Sequence, residues 1–155
     1  MIRKATSDDC LNLAALSLQV WLDTYATQGL RNNISSYVTS TFTESYFLQL
    51  ISKPAYEIWV CDEDEYLLGF IAVDLESEFE DEVAGYEIET LYVSRHFQGK
   101  GIGSQLLKKV ESTYGSPFWL SVWVNNHEAI SFYKRQAFKL VGELHRNHVL
   151  SYVGV

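Results

Sequence analysis

Apolar and polar positions follow distinct rhythms along the chain, and each change of rhythm marks an element. Residues 1–5 read as a short first strand. Thr6 or Ser7 offers a helix cap, and Asp8 and Asp9 favour the positive end of the next helix. Leu11, Ala14, Leu18, Trp21 and Tyr25 recur at helical spacing, which predicts one apolar face, and Gly29 is the expected stop. Residues 35–42 and 44–51 read as a second, broken helix. Residues 56–61 and 66–75 read as two strands around a polar turn at 62–65, the pattern of a hairpin. An acidic loop at 76–84 leads into a strand over 86–93. A helix over 101–114 carries Ile102, Leu106, Leu107 and Val110 on one side. A strand over 118–124, a short helix over 128–136 and strands over 138–144 and 149–153 complete the chain. The order β-α-α-β-β-β-α-β-α-β-β predicts an α/β (mixed α+β) sheet with helices on both faces. No repeat or linker interrupts it, so residues 1–155 are expected to form a single domain.

The charge pattern sharpens this outline. The formal net charge is −8, but it is unevenly spread. Residues 1–54 balance to zero, whereas residues 55–94 hold 13 acids and no Lys or Arg, and residues 95–155 sum to +5. The acidic middle argues against a nucleic-acid partner, whose footprint is a basic face. The basic last third suits a phosphorylated ligand. Cys10 and Cys61, 51 residues apart, make neither a disulfide framework nor a zinc site, and the four histidines lack ligand spacing, so no metal is expected. No apolar run reaches the roughly 18 residues that span a bilayer, and the first residues carry no apolar signal segment. A cytoplasmic protein without a membrane partner is the expectation.

The strand over 87–93 runs into Ser94-Arg95-His96-Phe97-Gln98-Gly99-Lys100-Gly101-Ile102-Gly103-Ser104 and then a helix. Glycines at alternate positions expose backbone N–H groups where a chain enters a helix, and the helix dipole adds attraction for an anion. Lys100 and Arg95 add positive charge, so a diphosphate is the natural ligand. The loop fits neither a P-loop nor a dinucleotide fingerprint, whose third glycine would fall at Ser104. Further on, Asn126 is placed to cap a helix and offer its amide to a ligand, and Ala129 and Tyr133 share one face of that helix.

Together these segments resemble the GNAT acetyltransferase superfamily. The matching parts are the strand ending Leu91-Tyr92-Val93, the Gln-x-x-Gly-x-Gly loop at Gln98 to Gly103, and the Asn-x-x-Ala-x-x-x-Tyr helix at Asn126 to Tyr133. The resemblance implies a mostly antiparallel sheet of roughly six or seven strands flanked by about four helices. It implies acetyl-CoA as cosubstrate. Its diphosphate would lie on the backbone amides of Gly99, Lys100, Gly101, Ile102, Gly103 and Ser104. Its pantetheine arm would follow Leu91, Tyr92 and Val93, with Gln98 in the loop and Asn126 beside the arm. Ala137 stands where the family usually has glycine, which strains a left-handed helix stop.

Acetyl transfer to an amine requires a base, a donor to the carbonyl oxygen and an acid for the leaving thiolate. Alternation puts Glu87 and Glu89 on one strand face. The resemblance places the base at one of these positions, with Glu89, acting through water, preferred. Leu91 N–H is the expected oxyanion donor. Tyr133, protonated at neutral pH, is the expected acid. No covalent intermediate is needed, and direct attack by the amine is the simpler route. The segments 85–93, 119–123 and 132–134 are most similar to PaiA-type polyamine acetyltransferases, with Trp21 and Tyr25 on the acceptor side. Spermine or spermidine would be drawn to the acidic segment. The alternatives are acetylation of a protein N-terminus or lysine, and a non-catalytic coenzyme A-binding protein. A homodimer is the expectation from relatives.

Overall fold

The computed structural model describes residues 1–80 and 84–154. Among them, seven strands form one sheet in the order β1-β2-β3-β4-β5-β7-β6. The strands are β1 (Ile2–Lys4), β2 (Tyr56–Glu63), β3 (Tyr66–Asp74), β4 (Tyr86–Val93), β5 (Phe118–Trp123), β6 (Lys139–Leu144) and β7 (Asn147–Tyr152). The helices are α1 (Cys10–Tyr25), α2 (Asn32–Thr41), α3 (Glu44–Ile51), α4 (Ile102–Tyr114) and α5 (His127–Arg135). The fold agrees with the expected sheet flanked by about four helices, the second of them being divided. The broken second helix is two helices, parted at Phe42, with Thr43 accepting a hydrogen bond from the Tyr46 N–H as the cap of α3.

Every pairing is antiparallel except β4 with β5, which the α4 crossover makes parallel. One face of the sheet packs α4 and α5 through Ile88, Ile102, Leu106, Val110, Phe118 and Tyr133. The other packs α1 and α3 through Leu13, Leu16, Phe47, Leu50, Val60 and Phe70. The α4 stripe is the one its periodicity predicts. The α1 stripe is so only in part. Cys10, Leu13, Ala14, Leu16 and Ser17 are buried, while Leu11 is 62% exposed. Small side chains let the helix sit close to the sheet, and the Ser17 hydroxyl donates to the Leu13 carbonyl at 2.7 Å, which makes its burial cheap. Trp21 and Tyr25 fall outside this stripe.

Three further boundaries differ from the sequence reading. α1 ends at Tyr25 rather than at Gly29, which lies in the loop beyond and donates its N–H to the Ala26 carbonyl. The β2–β3 turn is only Asp64-Glu65, both at positive φ, as a tight hairpin of right-handed strands demands. β7 begins two residues before the expected strand, at Asn147. Of the acidic loop, Asp81, Glu82 and Val83 lie outside the described residues.

Two irregularities in the strands around β4 create room for ligands. β4 and β5 pair only at Tyr86↔Phe118 and Glu87↔Trp119. Beyond that point β4 stays on β3 to Val93 and β5 stays on β7 to Trp123, so the two parallel strands part into a crevice at their C-terminal ends. The register of β3 and β4 also shifts, with Ala72 opposite Thr90 but Val73 opposite Ile88, so Glu89 is an extra residue in a β-bulge.

Candidate active site

The crevice lies where a parallel strand pair ends and its crossover helix begins, the position at which open sheets take ligands. On one side stand the glycine loop and the start of α4. Gly99 and Gly101 have φ of 76° and 82°, so the chain turns through left-handed conformations into the helix. No side chain caps α4, which leaves its first N–H groups directed outward with the dipole behind them. Gly103 serves packing instead. A Cβ there would stand 3.0 Å from the Phe132 ring, so glycine lets α5 close against α4. Gln136 Nε2 donates to Ser104 Oγ at 2.9 Å and ties the same two helices. Gln98 Nε2 donates to the Val93 carbonyl at 3.2 Å, which pins the loop to the end of β4. Lys100 Nζ rests 5.1 Å from the Phe97 ring centroid.

α5 closes the crevice from the same face. Asn126 Oδ1 accepts the Ala129 N–H at 3.3 Å, which uses its oxygen as the helix cap and leaves its NH₂ group as a donor. Tyr133 is buried among Phe132 and Phe138, and its hydroxyl makes no hydrogen bond among the described residues. Desolvation, with the neighbouring Tyr92 hydroxyl adding to it, pushes the Tyr133 phenol above its ordinary value, so it stays protonated. The Ala137 turn after α5 is left-handed, with φ of 72°, and its N–H donates to the Lys134 carbonyl at 3.1 Å. The alanine does take the strained conformation.

The opposite face holds the carboxylates. The bulge separates side chains that simple alternation would keep together. Leu91 and Val93 point toward α4, whereas Tyr92 packs on the α1 and α3 side. Glu89 turns to that second side, where the Tyr56 hydroxyl donates to its Oε1 at 2.9 Å. Glu87 shares this side with its cross-strand partner Asp74, and accepts the Ser77 hydroxyl at 2.8 Å. Burial raises the pKa of both Glu87 and Glu89, and Asp74 adds to each rise, while their hydroxyl donors oppose it.

Glu89 lines a cavity of about 450 Å³, open to solvent, between α3 and the strands. Tyr46, Tyr56, Asp74 and Glu76 line it too, with one cation, Lys53. Glu89 stands beyond the last β4–β5 pair and Glu87 stands at it, so only Glu89 borders both the cavity and the crevice. Trp21 and Tyr25 lie at the far end of the same face, where Tyr25 meets Trp123 of β5 with centroids 5.1 Å apart. The fold thus gathers the loop, Leu91, Val93, Asn126, Tyr133 and Glu89 around one crevice, and holds Glu87 further back. Tyr56, Asp74, Tyr37 and Trp123 were not found as site residues from sequence. Their places depend on strand register and helix docking, which no local pattern carries. Among the described residues no three His, Cys, Asp or Glu side chains converge as a metal site requires, and no helix is long and apolar enough to cross a membrane.

Comparison with known proteins gives the family and the fold. An uncharacterized N-acetyltransferase of Archaeoglobus fulgidus is 32% identical over 110 residues, covering 70% of this chain and 69% of that one. A probable spermine N(1)-acetyltransferase of Bacillus subtilis subsp. natto is 30% identical over 88 residues, 52% of this chain and 58% of that one. The crystal structure of PaiA N-acetyltransferase from Thermoplasma acidophilum, in complex with coenzyme A, superposes with a TM-score of 0.85 at 23% identity. It covers 99% of this chain and 98% of that one, which shows a shared fold. Residues 19–138 match the acetyltransferase (GNAT) family across the crevice, the glycine loop and α5, and the chain belongs to that family.

Proposed function

We propose that the chain transfers the acetyl group of acetyl-CoA to a primary amine of a polyamine such as spermine or spermidine. The observation that carries this reading is the position of Glu89. It is bulged out of β4 beside the crevice and lines a cavity with Asp74 and Glu76. Three carboxylates against the single Lys53 favour a cation there. The name of the Bacillus relative is in keeping with that acceptor.

The residues divide the work by face. On the α4 side, the uncapped helix start and the amides of residues 99–104 suit a diphosphate, and the free edge of Leu91 and Val93 suits an amide-containing arm. Asn126 offers its NH₂ group beside that arm. On the acceptor side, Glu89 takes a proton from the ammonium, directly or through water, and its raised pKa makes it a stronger base than an ordinary carboxylate. The freed amine forms the new C–N bond as the C–S bond breaks. In this reading Leu91 N–H stabilises the charge that develops on the carbonyl oxygen. Tyr133 donates its proton to the departing thiolate, and the second proton that the attacking nitrogen sheds as the amide forms restores the phenol through water.

The test is acetyl-CoA consumption with spermine, spermidine, an aminoglycoside, free amino acids and peptides. Turnover with the polyamines at kcat/KM at least tenfold above the others supports the assignment. Turnover confined to peptides would transfer the function to protein acetylation, and no turnover with any amine would remove the enzymatic reading.

A further inference from the structure

Four aromatic rings run in a row along the acceptor face: Tyr37 of α2, Trp21 and Tyr25 of α1, and Trp123 at the end of β5. Successive centroids are 5.1, 4.6 and 5.1 Å apart, and successive planes are inclined by 41°, 39° and 41°. The tilts make the row curved rather than stacked. It lies across the open end of the crevice, because Trp123 ends the strand that parts from β4.

This row does not belong to either core. None of the four rings is part of a buried hydrophobic cluster, and Tyr25 and Tyr37 are 39% and 48% exposed. Rings left in water at this density cost solubility unless they meet a ligand. Elsewhere two half-buried rings carry the chain's own cations. Lys4 and Lys109 lie over Trp59, and Lys100 lies over Phe97. Among the described residues no Lys or Arg lies over this row. Tyr46 lines the carboxylate cavity with Glu89 and lies within electrostatic reach of Tyr37. The α2 helix that brings Tyr37 is lightly held. Only Val38 of it is buried, and Thr39 and Ser40 turn their hydroxyls back onto the Ser35 and Ser36 carbonyls. Tyr37 can therefore adjust to what the other three rings hold.

We infer that the row Tyr37–Trp21–Tyr25–Trp123 is an aromatic platform that binds an alkylammonium group of the acceptor through its ring faces, and so selects acceptors with a second cation remote from the reacting amine. Trp123 and Tyr37 become specificity residues beside Trp21 and Tyr25. The part concerning acceptor selection rests on the polyamine reading above. The cation-binding part does not.

The two parts are tested separately. Tetramethylammonium and its neutral counterpart neopentyl alcohol are titrated into the full-length protein, and the indole N–H resonances of the four tryptophans are followed by NMR. Tetramethylammonium is expected to shift the Trp21 and Trp123 signals at concentrations where the alcohol shifts neither. Equal responses to both, or none to either, would overturn the platform. In steady-state assays with spermidine, Trp123→Leu and Tyr37→Leu are expected to raise KM roughly 3- to 30-fold, with a smaller change in kcat. Trp123→Phe, which keeps a ring face, should recover most of that loss. An unchanged KM in both leucine variants, with coenzyme A affinity retained as the folding control, would overturn the selection role. If polyamines prove not to be substrates while tetramethylammonium still shifts the two indoles, the acceptor assignment falls and the platform stands.

Discussion

Tyr56→Phe isolates one hydrogen bond of the candidate site. The change removes the hydroxyl that donates to Glu89 Oε1 at 2.9 Å and leaves the ring in the α1 and α3 core, where Tyr56 is 6% exposed. Burial and Asp74 raise the Glu89 pKa, and the Tyr56 hydroxyl and Lys53 hold it down. Loss of the hydroxyl therefore raises it further. A hydrogen bond to a charged group is worth roughly 1.5–3 kcal/mol. Glu89 is open to water, which replaces part of the lost bond, so about 1 kcal/mol is the appropriate figure here. Glu89 works as a base only when ionised. The acid limb of kcat/KM should thus move to higher pH, and at a fixed pH on that limb the variant should be about fivefold slower. Above the limb the two enzymes should converge. Stability follows the same sign. A raised carboxylate pKa means the folded state binds the extra proton, so stability falls as pH rises from the unfolded pKa through the folded one. The variant should be less stable than the parent above that window and equal to it below. The assay is kcat/KM against pH with saturating acetyl-CoA, with Glu89→Gln as the control that abolishes the limb. A limb that stays in place or moves to lower pH in Tyr56→Phe would refute the assignment of Glu89 as the base held by Tyr56.

Three further outcomes are expected. Tyr133→Phe should lower kcat at least tenfold and leave coenzyme A affinity within about twofold, because the phenol acts at thiolate departure; an unchanged kcat removes it from the mechanism. Ala137→Gly relieves a left-handed alanine and should stabilise the fold by about 1 kcal/mol, or roughly 2–4 °C in Tm by thermal unfolding. Arg3 grips Asp9 through two bonds of 2.8 Å and also Asp62 at 2.8 Å, and it holds the Asp9 pKa below its ordinary value. Arg3→Met should cost about 1–2 kcal/mol at neutral pH after allowance for the exposed guanidinium. A depressed carboxylate stabilises above its unfolded pKa and ceases to as pH falls through its folded pKa, so the gap between Arg3→Met and parent should narrow in acid. Urea unfolding at neutral and acid pH measures this, and a constant gap would refute it.

What the chain reveals by pattern alone is what depends on neighbours in sequence. The α4 stripe of Ile102, Leu106, Leu107 and Val110 is set by helical period, and the left-handed entry at Gly99 and Gly101 by glycine spacing. Both were legible. The α1 stripe was legible only in part: Ala14 was found, but Leu13 and Leu16 were passed over for Leu11 and Leu18, and the small Cys10 and Ser17 share its inner side. Hydrophobicity ranks these below Leu11, but close approach to the sheet favours them. The crevice itself was illegible. It arises because the α4 crossover lets β4 and β5 pair at two positions and no further, a tertiary outcome.

The bulge at Glu89 shows why a partly correct reading still reached the right face. Strict alternation places residues 87, 89, 91 and 93 together. In an unbulged strand, turning Glu89 toward Tyr56 and the acidic cavity would also turn Leu91 and Val93 away from the α4 cluster, at the cost of two partly buried aliphatic contacts. One unpaired residue removes the conflict. Glu87 and Glu89 keep the acceptor side, while Leu91 and Val93 keep the helix side and leave their backbone edge in the crevice. On the proposed function, a single strand then serves a cationic acceptor on one face and an anionic cosubstrate at its edge. Deleting one residue at this bulge should cost the strand one of its two faces, whereas the same deletion in β6, at the edge of the sheet, should leave the crevice intact. Coenzyme A affinity, measured by titration on both deletions, separates them: retained affinity in the β4 deletion with affinity lost in the β6 deletion would contradict this account of the bulge.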